Sequence, residues 1–142
     1  MNVAGLLRIK GSEVATTTAG TPVMEAVDQL KRKGIGAVVV VDGDGGVVGI
    51  LSERDVVHAL ADRRDLGKAK VSDLMTKKVA TCSPSASVNE VMQTMTEGRF
   101  RHLPVEQDGK LCGLVSIGDV VKSRIEELQR ESEALQSYIA SG

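Results

Sequence analysis

The chain repeats itself, and a duplicated segment restricts a fold to architectures in which two like units bury each other. Val14-Ala15-Thr16 returns as Val79-Ala80-Thr81, 65 positions later. The same offset pairs Val23 with Val88, Glu25 with Glu90, Leu30 with Met95 and Val40 with Val105. Gly49-Ile50-Leu51-Ser52-Glu53-Arg54-Asp55-Val56-Val57 then matches Gly113-Leu114-Val115-Ser116-Ile117-Gly118-Asp119-Val120-Val121 at an offset of 64. The missing residue falls where Asp42 to Gly46 faces Gln107 to Lys110, and a hairpin tip is where a length change costs least.

Each repeat reads as strand, helix, strand, strand, helix. Val14 to Thr16 and Val79 to Thr81 are short strands. Thr21-Pro22 and Ser87 open the first helices, with Pro22 expected at the first helical position. Ser87-Val88-Asn89-Glu90 has the spacing of a capping box. Apolar positions Val23, Val27 and Leu30, and Val88, Val91, Met92 and Met95, follow the helical period, and Gly34 and Gly98 stop it. Ala37 to Val41 with Val47 to Leu51, and His102 to Val105 with Leu111 to Val115, read as hairpins. Second helices start near Ser52 and Ser116. Val71 to Met75 reads as a short helical turn leading into the second repeat, and Val3 to Ile9 as its counterpart before the first.

A half of about sixty residues buries too little apolar surface to be comfortable alone. Two halves packed sheet to sheet about a pseudo-twofold axis solve that, giving an α+β fold. The divisions are residues 1–66 for the first repeat with its lead-in, 67–124 for the linker and second repeat, and 125–142 for a C-terminal helical extension. There Val121, Ile125, Leu128, Ser132, Leu135 and Ile139 form a heptad seam with one polar interruption. The seam packs either on the chain's own core or on a second chain.

The formal net charge of −1 argues against a general polyanion binder, so a nucleic-acid partner is not expected. No apolar run has bilayer-spanning length, and the first residues lack the pattern of a signal peptide. Cys82 and Cys112 lack paired spacing, which suits thiols in a reducing cytoplasm. Phosphate-loop, dinucleotide and zinc-protease motifs are absent, and His58 and His102 are the only histidines, so an enzyme is disfavoured. With Phe100 and Tyr138 the only aromatics, a ring-shaped ligand would lie mostly on aliphatic side chains and backbone.

Chemistry concentrates at Ser52-Glu53-Arg54-Asp55 and Ser116-Ile117-Gly118-Asp119. Ser-x-x-Asp after a strand caps a helix, with the acid favoured by the helix dipole. The same geometry offers a phosphate free N–H groups and a ribose a carboxylate for both hydroxyls. Two copies at matched positions imply two equivalent clefts. Gly98-Arg99-Phe100-Arg101-His102-Leu103-Pro104-Val105 brings three potentially cationic groups to a strand start, either as a solvated edge or as an anion clamp. The matching Gly34-Ile35-Gly36-Ala37-Val38-Val39-Val40 has none, so the clefts should differ in phosphate affinity.

The two Gly-x-x-Ser-x-x-Asp segments and Leu103-Pro104-Val105, in this order and spacing, resemble a tandem pair of cystathionine-β-synthase (CBS) domains, a Bateman module, over roughly Val3 to Leu128. The first repeat departs by having Val39 where the second has Pro104, which should alter an edge rather than the fold. The resemblance implies a non-catalytic regulatory module for adenosyl ligands such as AMP, ADP, ATP, NAD or S-adenosylmethionine, acting on a separate partner and dimerising into a disc. One cleft would use Ser52, Arg54 and Asp55 with Thr81, Phe100, Arg101 and His102. The other would use Ser116 and Asp119 with Thr16, Gly36, Ala37 and Val38. Asp55 and Asp119 would hold ribose hydroxyls, and Arg54, Arg101 and His102 would face phosphate. The alternative is a dimerising interaction module whose clefts stay empty.

Overall fold

A computed structural model describes residues 1–141. Its elements run α1 (Val3–Lys10), β1 (Thr16–Thr17), α2 (Val23–Lys33), β2 (Ala37–Val41), β3 (Val47–Ser52), α3 (Glu53–Ala61), α4 (Val71–Leu74), α5 (Val88–Gly98), β4 (His102–Gln107), β5 (Lys110–Ser116) and α6 (Ile117–Ser141). The mixed α+β architecture with two small sheets and a long last helix is the expected one. The first sheet has the order β1-β2-β3, with β1 parallel to β2 and β2 antiparallel to β3, and the second is the hairpin β4-β5.

Val38, Val39 and Val40 are all fully buried, so β2 is covered on both faces, and alternation of side chains requires a layer on each side. The two hairpins meet at both ends. At the tips the Leu111 amide donates to the Gly45 carbonyl, 3.0 Å. At the bases the His102 ring lies 3.8 Å from where a Gly36 Cβ would sit. The core divides by repeat: Val23, Ala26, Leu30, Val38, Val40 and Leu51 belong to the first, and Val88, Val91, Met95, Leu103, Val105 and Val115 to the second.

The lead-ins cross over. Val3, Leu6 and Leu7 of α1 are buried in the core of the second repeat, whereas Val71 of α4, just before the second repeat, is buried in that of the first. Backbone bridges fix both crossings, Asn2 with Ser87 and Pro22 with Lys70. Two strand glycines let the lead-ins close in. A Cβ on Gly113 would stand 2.7 Å from Leu7, and one on Gly49 would stand 2.8 Å from Met75 Sδ and 2.9 Å from the Thr76 carbonyl.

Several local readings need correction. Val79 to Thr81 is not a strand; only Cys82 bridges Val105. In the first repeat the Val39 amide donates to Ala15, 3.0 Å, and β1 forms beside it. Pro104 stands at Val39's place and has no N–H to give, so the pairing stops at one bridge. Pro22 occupies the cap position of α2 rather than its first turn, and the Val23 amide is satisfied by the Ala69 carbonyl, 2.9 Å. Gly34 ends α2 in the left-handed region, φ 62°, but α5 runs through Gly98 and turns at Arg99, φ 57°. Gly98 is small for another reason: a Cβ there would lie 2.1 Å from the Phe100 ring. Ser87 and Glu90 do form the expected capping box. Both cysteines are free, and burial, with Cys112 adding, pushes the Cys82 thiol up to about 11, which makes it a poor nucleophile.

Helix α6 continues unbroken from the second repeat to Ser141, about 37 Å at 1.5 Å per residue. Val120 and Ser123 face the core, while the seam residues Val121, Ile125, Leu128, Leu135 and Ile139 are exposed, from 44% to 70%. The seam is therefore not packed on its own repeat. No helix among the described residues is long and apolar enough to cross a membrane.

Gly49→Ala tests the crossing. The added methyl meets the Thr76 backbone, which is held by paired hydrogen bonds to Ile50 of 2.9 and 3.0 Å and cannot swing aside as a side-chain end could. The expected loss is about 1–3 kcal/mol, read as a lower urea midpoint at unchanged slope.

Candidate functional site

Both Ser-x-x-Asp segments sit at the strand-to-helix junctions, β3 into α3 and β5 into α6. Each acid folds back on its own helix start. Asp55 Oδ2 accepts from the Ser52 amide, 2.9 Å, and from Ser52 Oγ, 3.1 Å, while the Asp55 amide donates to Ser52 Oγ, 3.4 Å. Asp119 Oδ2 accepts from the Ser116 amide, 2.9 Å, and the Asp119 amide donates to Ser116 Oγ, 3.2 Å. The capping role is real at both positions, and it aims each carboxylate rather than consuming it. One oxygen can accept more than one donor, and Asp55 Oδ1 also accepts from Thr76 Oγ1, 3.2 Å.

The first cleft, about 320 Å³, gathers Ser52, Arg54 and Asp55 with Phe100, Arg101 and His102, as the sequence suggested. It adds Gly36, Ile50, Glu53, Thr76, Gly98 and Arg99. Thr81 does not line it: with no strand at Val79 to Thr81, that residue is exposed outside the cleft. The helix start is close at hand, since the Glu53 amide donates to the Gly36 carbonyl, 3.0 Å. Phe100 is half-buried, set on Gly98 and packed on the second core, so one ring edges the cleft.

The second cleft, about 490 Å³, holds Ser116, Gly36 and Ala37 from the expected set, together with Lys10, Glu13, Val14, Ala15, Lys33, Ile35, His102 and Leu114. Three expected members stand elsewhere. Val38 is fully buried, Thr16 lines a polar hollow with Gln29 and Arg32, and Asp119 reaches the cleft through its bond to Lys10. Gly34 to Val40 brings no cation to this cleft, but Lys10 and Lys33 do. His102 and Gly36 border both clefts, so the two share a wall.

Lys10 is a cleft residue that the sequence reading misses. Its Nζ donates to Asp119 Oδ2, 2.5 Å, and to the Leu114 carbonyl, 2.8 Å. Burial alone would raise the Asp119 carboxyl, but hydrogen bonds from Lys10 and Ser116 outweigh it and hold the group below the usual carboxylate value. Burial lowers the His102 imidazole below its ordinary 6.5, with the Lys10 and Arg101 charges lowering it further against Asp119 and Glu53. The ring is therefore mostly neutral at neutral pH.

That shift has a stability consequence. The unfolded chain binds a proton at His102 near 6.5, and the folded chain resists it to lower pH. Stability from this group is present above 6.5 and is lost as pH falls from there towards the folded value. His102→Gln should flatten the slope of unfolding free energy against pH across that window, measured by urea titration, and an unchanged slope would assign it elsewhere.

The model of the CBS domain family matches residues 9–62 and 71–126. The CBS domain-containing mitochondrial protein CBSX3 of Arabidopsis thaliana is 38% identical over 137 residues, 93% of this chain and 66% of that protein, so the chain spans about two thirds of this relative's length. The crystal structure of the CBS-domain protein ATU1752 of Agrobacterium tumefaciens is 46% identical, with a TM-score of 0.82 over 87% of this chain and 99% of that one. The CBS domain pair of protein MJ0100, solved with 5′-methylthioadenosine and S-adenosyl-L-methionine, is 25% identical, with a TM-score of 0.80 over 89% and 98% of the two chains. With the duplicated junctions, the crossed lead-ins and the paired clefts in place, the chain belongs to the CBS domain family as a tandem pair of repeats.

Proposed function

We propose that this protein is a non-catalytic regulatory module that takes adenosyl ligands (AMP, ADP, ATP or NAD) in the clefts between its repeats and acts on a separate partner protein. The observation that carries the reading is the carboxylate of Asp55. It is fixed by the Ser52 amide at a helix start, beside a cleft with arginines at Arg54, Arg99 and Arg101. A diol needs a fixed acceptor, and a phosphate needs N–H groups and forked cations. The first cleft offers the fixed acceptor and the forked cations within a volume in the range of small-ligand sites. The methylthioadenosine and S-adenosylmethionine in the MJ0100 pair support the adenosyl class. Against catalysis, no hydrogen bond among the described residues joins His102 to Ser52 or Ser116, and the carboxylate that accepts from Ser52 Oγ is itself held by the Ser52 amide as a helix cap.

A second copy of this chain is the partner that the apolar surface supports. Val57 and Leu60 on α3, and Val121, Ile125 and Leu128 on α6, are exposed by 44% to 60% and occupy matched helices of the two repeats. A homodimer pairing these helices would bury all five. The alternative, a dimerising interaction module with empty clefts, shares this surface and differs only in its response to ligand.

Asp55→Asn is the sharper test of the sugar role, because Asp55→Ala would also strip the α3 cap. The amide oxygen still accepts from the Ser52 amide, and the Thr76 and Ser52 hydroxyls can turn to accept. Losing a charge-assisted bond costs about 1.5–3 kcal/mol, so AMP should bind about tenfold to a hundredfold more weakly in calorimetry, with a melting temperature close to the parent's. Equal AMP affinity would remove the diol role. Ile125→Asp should convert the dimer to monomer in sedimentation at micromolar concentration; a parent that is already monomeric there would reject the helix pairing.

A further inference from the structure

We infer that Lys10 is a built-in competitor for the sugar acceptor of the second cleft, so that a ligand entering there must first part an ion pair that the first cleft lacks. The inference rests on the reading of Asp55 and Asp119 as diol acceptors.

The two lead-ins reach the two acids by equivalent routes and deliver different chemistry. From α4 the chain passes Gly49 and places Thr76 Oγ1 on Asp55 Oδ1, 3.2 Å. From α1, seated on Gly113 through Leu7, Lys10 places Nζ on Asp119 Oδ2, 2.5 Å. A hydroxyl is a neutral donor that can rotate away or turn to accept. An ammonium only donates, and it carries charge. The Leu114 carbonyl grips the same ammonium from a second side, 2.8 Å, so Lys10 is not a loose surface cation. The pair is only 33% and 25% exposed, and Lys10 lines the cleft with Asp119 directly behind its ammonium. A ribose brings two neutral hydroxyl donors to a carboxylate. At Asp55 they displace one hydroxyl bond, whereas at Asp119 they displace a charge-assisted one. The Asp119 carboxyl lies below its usual value despite burial, as a group already neutralised by a cation should.

Adenosine is the probe, because it carries the diol and no phosphate, so it brings no anion for the Lys10 charge to attract. Asp55→Asn mutes the first cleft, and in that background Lys10→Met should tighten adenosine binding about fivefold. Adding Asp119→Asn should erase the gain. The gain should also narrow between about 0.05 and 0.5 M salt, because screening loosens the ion pair only in the parent background. Equal or weaker binding by the Lys10→Met variant, or a gain indifferent to salt, overturns the competitor. The unmutated protein is titrated with AMP alongside. If it binds AMP while the Lys10→Met gain is missing, the competitor alone falls. If neither AMP nor adenosine binds any form, the adenosyl reading falls and takes the competitor with it. A thermal melt of each variant confirms the fold.

Discussion

The crossing of the lead-ins is the constraint on which the rest depends. Neither repeat completes its own core, since α1 fills the second and α4 fills the first. Each crossing rests on a strand glycine that admits another segment to van der Waals range, and on backbone bridges that set its height. Burying Val3, Leu6 and Leu7 contributes about 1.5–3 kcal/mol per side chain, comparable with the margin of a small domain. That energy is gained only when both repeats are present, so the pair folds as one unit. The site follows from the same geometry. The segment leaving each crossing passes the acidic residue of the repeat it has just packed on, and that passage puts Thr76 on Asp55 and Lys10 on Asp119.

Pseudo-symmetry therefore positions two clefts, and small departures from it make them unequal. Pro104 withdraws one amide, and the strand that would mirror β1 shrinks to the Cys82 bridge. Arg99 and Arg101 arm the first cleft, where the first repeat's equivalents are Gly34 and Gly36. Lys10 and Lys33 supply cations to the second from the lead-in and from the end of α2. His102, neutral and half-buried, stands in the shared wall, so a ligand bound in either cleft changes the surroundings of the same ring.

Local order was legible in the sequence wherever a short-range rule decides it. Ser87 with Glu90, the stop at Gly34, both hairpins and both strand-to-helix junctions depend on residues within a few positions of one another. The grouping of Ser52, Arg54 and Asp55 with Phe100, Arg101 and His102 came from the resemblance to CBS pairs, because these residues lie in different repeats and no local rule joins them. Lys10 was not, because 109 positions separate it from Asp119 and no periodicity links a helix end to a distant junction. Gly98 was misread for a related reason. A glycine near a helix end signals a left-handed turn, but here the small residue makes room for the Phe100 ring while Arg99 takes the turn. Thr81 was misplaced because the missing proline donor acts across the sheet, on a neighbour 23 residues before it in sequence.

Helix cap and ligand grip need not be rival explanations of the same carboxylate. A cap costs little conformational entropy at the moment of binding, because the acid is already held by the amide of Ser52 or Ser116 before any sugar arrives. An unanchored aspartate would lose rotamer freedom in gripping a diol, and the affinity would fall by that amount. Removing the cap therefore weakens the helix and unfixes the acceptor together, while exchanging carboxylate for amide separates the two roles. The capping bonds equally explain why the acids stand in the first turn after a strand rather than further along a helix. Only at the junction is an unpaired amide available to aim the group into the cleft while its second oxygen stays open to a donor. At Asp55 that donor is the Thr76 hydroxyl, so the first cleft shows in its own side chains the kind of bond a sugar hydroxyl would make there.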